Sequence, residues 1–244
     1  MADQEVIKHT KKVYKIWSSK EHSFWHKAKE FVLEIVIIVF AVSLSIWLHG
    51  RSEHSHQQAD VKEFLLGLRT DLQNDQKEME NDRTTFVNSR KAFRYLAKLT
   101  MKDTINLDSL KVHDNFFFNS TGLLPNNGRY EGFKSSGKIG TIANKELQND
   151  IMDLYQENIS VLITFTDYYS GIKGKFNDYY NKNLKRVTDS TNNVKQLLRT
   201  DEVHNLALDL MEVSDIISQY DKCIANIKRI NIAIDKEYGA EAIH

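Results

Sequence analysis

The sequence predicts a mainly α protein: an N-terminal transmembrane helix, then an extracytoplasmic domain built as a long-helix antiparallel bundle with coiled-coil-like seams. Three observations predict it. Residues 31–48 read FVLEIVIIVFAVSLSIWL, apolar on every side of a helical cylinder. Long stretches after residue 57 repeat their apolar residues at steps of three and four. Pro125 is the only proline, so those stretches are almost free of helix breakers.

The totals agree with this class. A chain of 244 residues that spends one segment on a membrane keeps enough for one soluble core. The single cysteine, Cys223, excludes an intramolecular disulfide framework, so packing must hold that core together. Lys+Arg and Asp+Glu are both 33, which leaves no net field to attract nucleic acid or an acidic partner. The expected organisation is a basic cytoplasmic tail over 1–30, a span over 31–48 and an extracytoplasmic helical domain over 49–244.

The eighteen residues of the span extend about 27 Å as a helix, close to the roughly 30 Å of a hydrocarbon core. Trp25 and Trp47 stand near its two ends, about 33 Å apart along a helix, where amphipathic rings favour the membrane boundaries. Before it lie seven lysines (Lys8, Lys11, Lys12, Lys15, Lys20, Lys27 and Lys29) against four acids, whereas Arg51, Glu53, Asp60, Lys62 and Glu63 follow it in mixed sign. Positive charge stays inside, so the N-terminus is expected in the cytoplasm and the rest of the chain beyond the membrane. A cleavable signal peptide is the competing reading, since Ala41, Ser43 and Ser45 are small, but the apolar core and the preceding tail are both long for one. A buried core helix fits less well, because the apolar residues surround the cylinder. In the tail, Ile7, Val13, Tyr14, Ile16 and Trp17 alternate with lysines, which suits either a short helix on an anionic leaflet or an exposed segment.

Glu34 is out of place in lipid, where even a lenient scale charges a few kcal/mol for a central acid. Glu34, Ile38, Ala41 and Ser45 fall on one stripe, and Ala41-x-x-x-Ser45 is a small-xxx-small pair that lets two helices approach closely. This stripe is the candidate membrane-helix contact. His26, Glu30 and Glu34 are also spaced to form a titratable ladder, so an ion site at Glu34 stands beside the plainer reading of a hydrogen bond to a partner helix.

Beyond the span, helices are expected over about 57–100, 144–183 and 201–238, with a connector over 101–142. In the first, Leu65, Leu72, Met79, Phe86 and Phe93 recur every seven residues, while Asp75 and Asp82 break the adjacent seam of Val61, Leu68 and Leu96. The connector holds Phe116, Phe117 and Phe118, the turn-forming run from Pro125 to Gly128, and Gly132, Gly137 and Gly140; the Phe triplet reads as core packing beneath a loop. Asn144 is the expected N-cap of the second helix, whose middle Gly171 and Gly174 weaken, and Asp201 that of the third. The third helix carries the clearest seam: Leu206, Leu210, Val213, Ile217, Tyr220, Ile224, Ile227 and Asn231, with Asn231 the polar position that sets register or partner number.

Several of these stretches resemble a family of single-pass membrane proteins of unknown function from Bacteroidota. The resemblance rests on Glu34-Ile-Val-Ile-Ile-Val in the span, the helix start at Leu65 to Leu72, Tyr130-Glu-Gly-Phe-Lys-Ser-Ser-Gly137, Ile142-Ala-Asn144-Lys-Glu-Leu147 and Asp153-Leu-Tyr155. The span ends differently, on Leu48-His49-Gly50-Arg51 where similar proteins have a small residue and a more polar, Asn-rich segment. The resemblance implies a Gram-negative inner membrane with the C-terminal domain in the periplasm, and it implies no activity or catalytic residue.

No motif for chemistry stands out. Gly171-Ile-Lys-Gly174-Lys lacks the spacing of a phosphate loop, and Ser135-Ser136-Gly137-Lys138 reads as a helix end with Gly137 in the left-handed cap position. His22 and His26, or His49, Glu53 and His56, share helical faces that permit a metal, but no further ligand accompanies them. Cys223 beside the seam reads as core packing. No catalytic residue, cofactor or metal is therefore expected. The expected role is a membrane-anchored structural or interaction protein that forms a homo-oligomer or serves a hetero-complex of the envelope. An ion-coupled, stator-like subunit using Glu34 is the first alternative, and a periplasmic sensor bundle signalling through a partner the second.

Overall fold

The chain is described by a computed structural model for residues 11, 14, 24–100, 102–103, 105, 107–188 and 191–239, and it divides into two compact units, Met1–Asp60 and Val61–His244. Most of the basic tail, with His22 and the side chain of His26, lies outside the described residues. The protein is mainly helical, and its described β structure is a short antiparallel hairpin of β1 (Arg186–Thr188) and β2 (Thr191–Asn192).

Helix α1 spans Phe24–Ala97, 74 residues. It includes the apolar segment and the stretch expected to begin a new helix near 57. Nothing between them stops a helix: Gly50 alone costs about 1 kcal/mol relative to alanine, and there is no proline. The polar residues after Leu48 change what the helix presents to its surroundings, not its hydrogen bonding.

In the first unit the apolar side chains of α1 stand exposed, among them Val32, Val36, Phe40 and Ile46. The most apolar window of this helix has a mean hydropathy of 2.6 and is 6% buried, so it is long and apolar enough to cross a membrane. Trp25 and Trp47 are exposed as well.

The second unit is built on the apolar stripe of α1: Val61, Leu65, Leu68, Leu72, Met79, Phe86, Phe93 and Leu96 are buried. The 101–142 stretch supplies α2 (Leu107–Phe118), a strap over 119–127 that is neither helix nor strand, α3 (Gly128–Ser135) and a 3₁₀ turn (Lys138–Thr141). Gly137, with φ of 75°, takes the left-handed turn between the last two. Next come α4 (Lys145–Asp153), a π turn (Leu154–Asn158) and α5 (Ile159–Asn183). Asn144 caps α4 by accepting from the Leu147 N–H at 3.1 Å. Helix α5 runs unbroken through Gly171 and Gly174.

After the hairpin come α6 (Val194–Leu197), α7 (Asp201–Met211) and α8 (Ser214–Tyr238). The single helix expected over 201–238 is therefore two. Glu212 leaves the helical region at φ −86°, ψ 79°, while Val213 is fully buried and the Arg90 guanidinium donates to the Ser214 hydroxyl at 2.9 Å. Both α7 and α8 pack on α5, so tertiary packing sets this bend without a glycine or proline to mark it. The cap of α7 is Thr200, which accepts from the Val203 N–H, and Asp201 stands in the first turn where its charge suits the helix dipole.

The bundle's directions follow from contacts along α1. Arg90 meets Ser214, Arg83 meets Asp221 at 2.6 Å and Arg69 meets Asp235 at 2.7 Å, so α8 runs antiparallel to α1. Phe86 meets Tyr169 edge-on at 5.1 Å and Phe93 meets Phe176 at 5.5 Å, so α5 runs alongside α1 in the same direction. The connector carries the chain back to the start of the bundle and makes this parallel pairing possible.

Candidate functional site

Within the apolar segment of α1, Glu34 is 6% exposed, whereas Leu33 and Ile35 beside it are 55% and 44% exposed. A carboxyl surrounded by apolar positions is thus the group removed from the surroundings, and it is engaged rather than free. Ile38 is half-buried, and Ala41 and Ser45 are exposed. The Ser45 hydroxyl donates to the Ala41 carbonyl at 2.9 Å, which satisfies it inside the helix and leaves a small, smooth surface there.

The seam of the last two helices is placed differently residue by residue. Leu206, Leu210, Val213, Tyr220, Ile224 and Ile227 are buried, while Ile217 and Asn231 are half-buried. Near those two positions the core takes Ile216, Ile230 and Ile234 instead. This stripe faces the domain's own core, packed on α4 and α5. Asn231 keeps a buried side-chain oxygen without a hydrogen-bond partner. Cys223 is fully buried, and burial pushes its thiol up to about 12, as expected of a packing residue and not of a nucleophile.

The polar groups that the fold does gather lie along α1. Asp71, Asp75, Glu78 and Asp82 share one face, and each accepts from the strap or its flank. The Thr121 hydroxyl donates to Asp82, the Leu124 N–H to Glu78 at 3.0 Å, and the Asn126 N–H and side-chain amide to Asp75 at 3.1 and 2.5 Å. Beyond the strap, Arg129 donates to Asp71 at 2.9 Å, its guanidinium lying where a Cβ on Gly67 would stand. Tyr220 from α8 also donates to Asp82, at 3.1 Å. The two acids read as breaks in the seam are therefore part of the buried stripe, Asp75 at 0% and Asp82 at 6% exposure. Burial raises both carboxyls above the ordinary aspartate range, against the hydrogen bonds that lower them.

Lys173 of α5 is 2% exposed and donates from Nζ to the Asn119 carbonyl, where the strap begins. Its ammonium lies 5.9 Å from the Phe93 ring centre and 5.8 Å from that of Tyr169. Desolvation lowers it from 10.5 to about 8. Nothing in the spacing of Gly171-Ile-Lys-Gly174 pointed to this burial, although Lys173 does fall on the stripe of Thr166, Tyr169 and Phe176.

Tyr130, Phe133 and Tyr155, among the residues that carried the family resemblance, have packing roles. Tyr130 stacks on Tyr155 with ring centres 4.3 Å apart and accepts from the Gln156 side chain at 2.8 Å. Phe133 stacks on Phe64 at 3.9 Å. Among the described residues no group of His, Cys, Asp and Glu is arranged to hold a metal ion. Together these features define a class, a helical domain on a chain that also has one apolar helix of membrane-spanning length. The chain matches no protein-family model, no curated protein and no solved structure.

Proposed function

We propose that this protein is a membrane-anchored structural or interaction protein that works through assembly, as a homo-oligomer or an accessory subunit of an envelope complex, and that it is not an enzyme. The N-terminus then lies in the cytoplasm of a Gram-negative cell and the helical domain in the periplasm, as the lysine-rich tail and the resemblance to the Bacteroidota family suggest. The observation that carries the reading is the first unit's α1: a span-length apolar surface left exposed, with one carboxyl withdrawn from it. Lipid is the solvent for such a surface, and a helix contact through the Glu34, Ile38, Ala41 and Ser45 stripe is the natural use of its small residues. In mild detergent the full chain is expected to migrate as an oligomer or with a co-purified partner by mass photometry, and Glu34→Ala to shift it toward the monomer. Monomer alone, for the wild type, overturns the proposal.

The burial of Glu34 also favours a second reading, an ion-coupled subunit of the stator class in which this carboxyl binds a proton or sodium ion. Glu34→Gln keeps the shape and loses the charge. On this reading it leaves assembly intact and abolishes ion-dependent work in the cell, whereas an unaffected cell excludes it.

A further inference from the structure

We infer that the 119–127 strap is a releasable clasp, detaching from α1 in an opening that leaves α1, α5 and α8 folded. The first support is what the strap buries. Of its residues only Leu123 is buried, at 5% exposure, while Leu124 is 81% exposed and Asn126 and Asn127 are exposed, so hydrophobic burial holds it weakly.

The second is the electrostatics of what it covers. Asp75 and Asp82 are buried, yet their hydrogen-bond donors are neutral: the amides of Asn126 for one, the hydroxyls of Thr121 and Tyr220 for the other. Among the described residues no cation forms an ion pair with either, and the charged groups that bear on them, Asp71 and Glu78, are of like sign. Closing the strap strips water from two carboxylates without supplying a counter-charge, a cost that hydrogen bonds to neutral groups largely offset but do not greatly exceed. Opening rehydrates Asp75 and exposes only one large apolar side chain of the strap.

The third is where the cations lie. Lys173 binds the Asn119 carbonyl at the strap's start, and Arg129 pairs with Asp71 just past its end, so the ends are tied and the middle is held by neutral donors. Ties at both ends limit the loop entropy gained on release and favour rapid reclosure over unravelling.

Hydrogen exchange on the full chain in detergent micelles, across sub-denaturing urea, tests this. The Leu124 and Asn126 amides, donors to Glu78 and Asp75, are expected to exchange through a urea-independent opening at least about tenfold faster than amides over 86–96. Glu78→Ala, which leaves the Leu124 N–H without its charged acceptor, should speed strap exchange by about tenfold. Destabilising the core with Val203→Ala, at the fully buried start of α7, should leave strap exchange unchanged. Strap amides that share the urea dependence and rate of the 86–96 amides, or that ignore Glu78→Ala, overturn the inference.

Discussion

Phe93→Ala is expected to destabilise the helical domain by about 3–5 kcal/mol, measured as a lower urea midpoint with an unchanged slope. Phe93 is fully buried, and its ring meets Phe117 edge-on at 5.6 Å and Phe176 at 5.5 Å and 89°. These rings come from α1, α2 and α5, so one truncation opens a cavity where three segments distant in sequence converge. The same ring lies beneath the Lys173 ammonium, and losing it removes part of what tolerates that charge. Phe93→Leu, which keeps most of the volume, should cost roughly 1.5 kcal/mol or less. A loss below about 1 kcal/mol for Phe93→Ala would mean that the aromatic cluster is not the centre of the core.

Lys173→Met is expected to stabilise the protein at pH 7 and to lose that advantage as the pH rises. Lys173 titrates near 8 in the fold against an ordinary 10.5, so below pH 8 its charge is buried at full cost. Between the two values the unfolded chain holds the extra proton, and stability rises with pH by roughly 2–3 kcal/mol in total. Methionine has no such slope. It also leaves the Asn119 carbonyl without its donor, worth about 1 kcal/mol, so the gain at pH 7 is about 1–2 kcal/mol. Cys223, Tyr155, Tyr169 and Tyr220 have raised values in the fold and pull stability down at alkaline pH. They are common to both proteins, so the difference between the two curves over pH 8–10 isolates Lys173. Parallel curves would show that Lys173 is solvated in solution.

Steps of three and four in the apolar pattern were enough to read where helices run, because a helix needs only backbone continuity and one face to bury. The N-cap at Asn144 and the left-handed turn at Gly137 were legible for the same local reason. The bend at Glu212 and Val213 was not, since its seam keeps the same steps through the break and the bend answers to α5 and Arg90. Asn231 was legible as the polar position of its seam, but periodicity shows which residues share a face and not what that face meets.

The candidate site divides along the same line. Glu34 was conspicuous in the sequence, a carboxyl in an apolar run, and composition alone determined the helix of spanning length and marked the one acid in its apolar stretch. Asp75, Asp82 and Lys173 were not conspicuous, because a charge on an amphipathic helix ordinarily faces water. Only the tertiary structure decided that the strap, which follows the two acids and precedes the lysine by some forty to fifty-odd residues, would supply Asn126, Thr121 and the Asn119 carbonyl to them. Local sequence sets backbone conformation through short-range sterics and hydrogen bonds. The partner of a buried charge is set by chain topology, which brings together groups that no spacing rule connects.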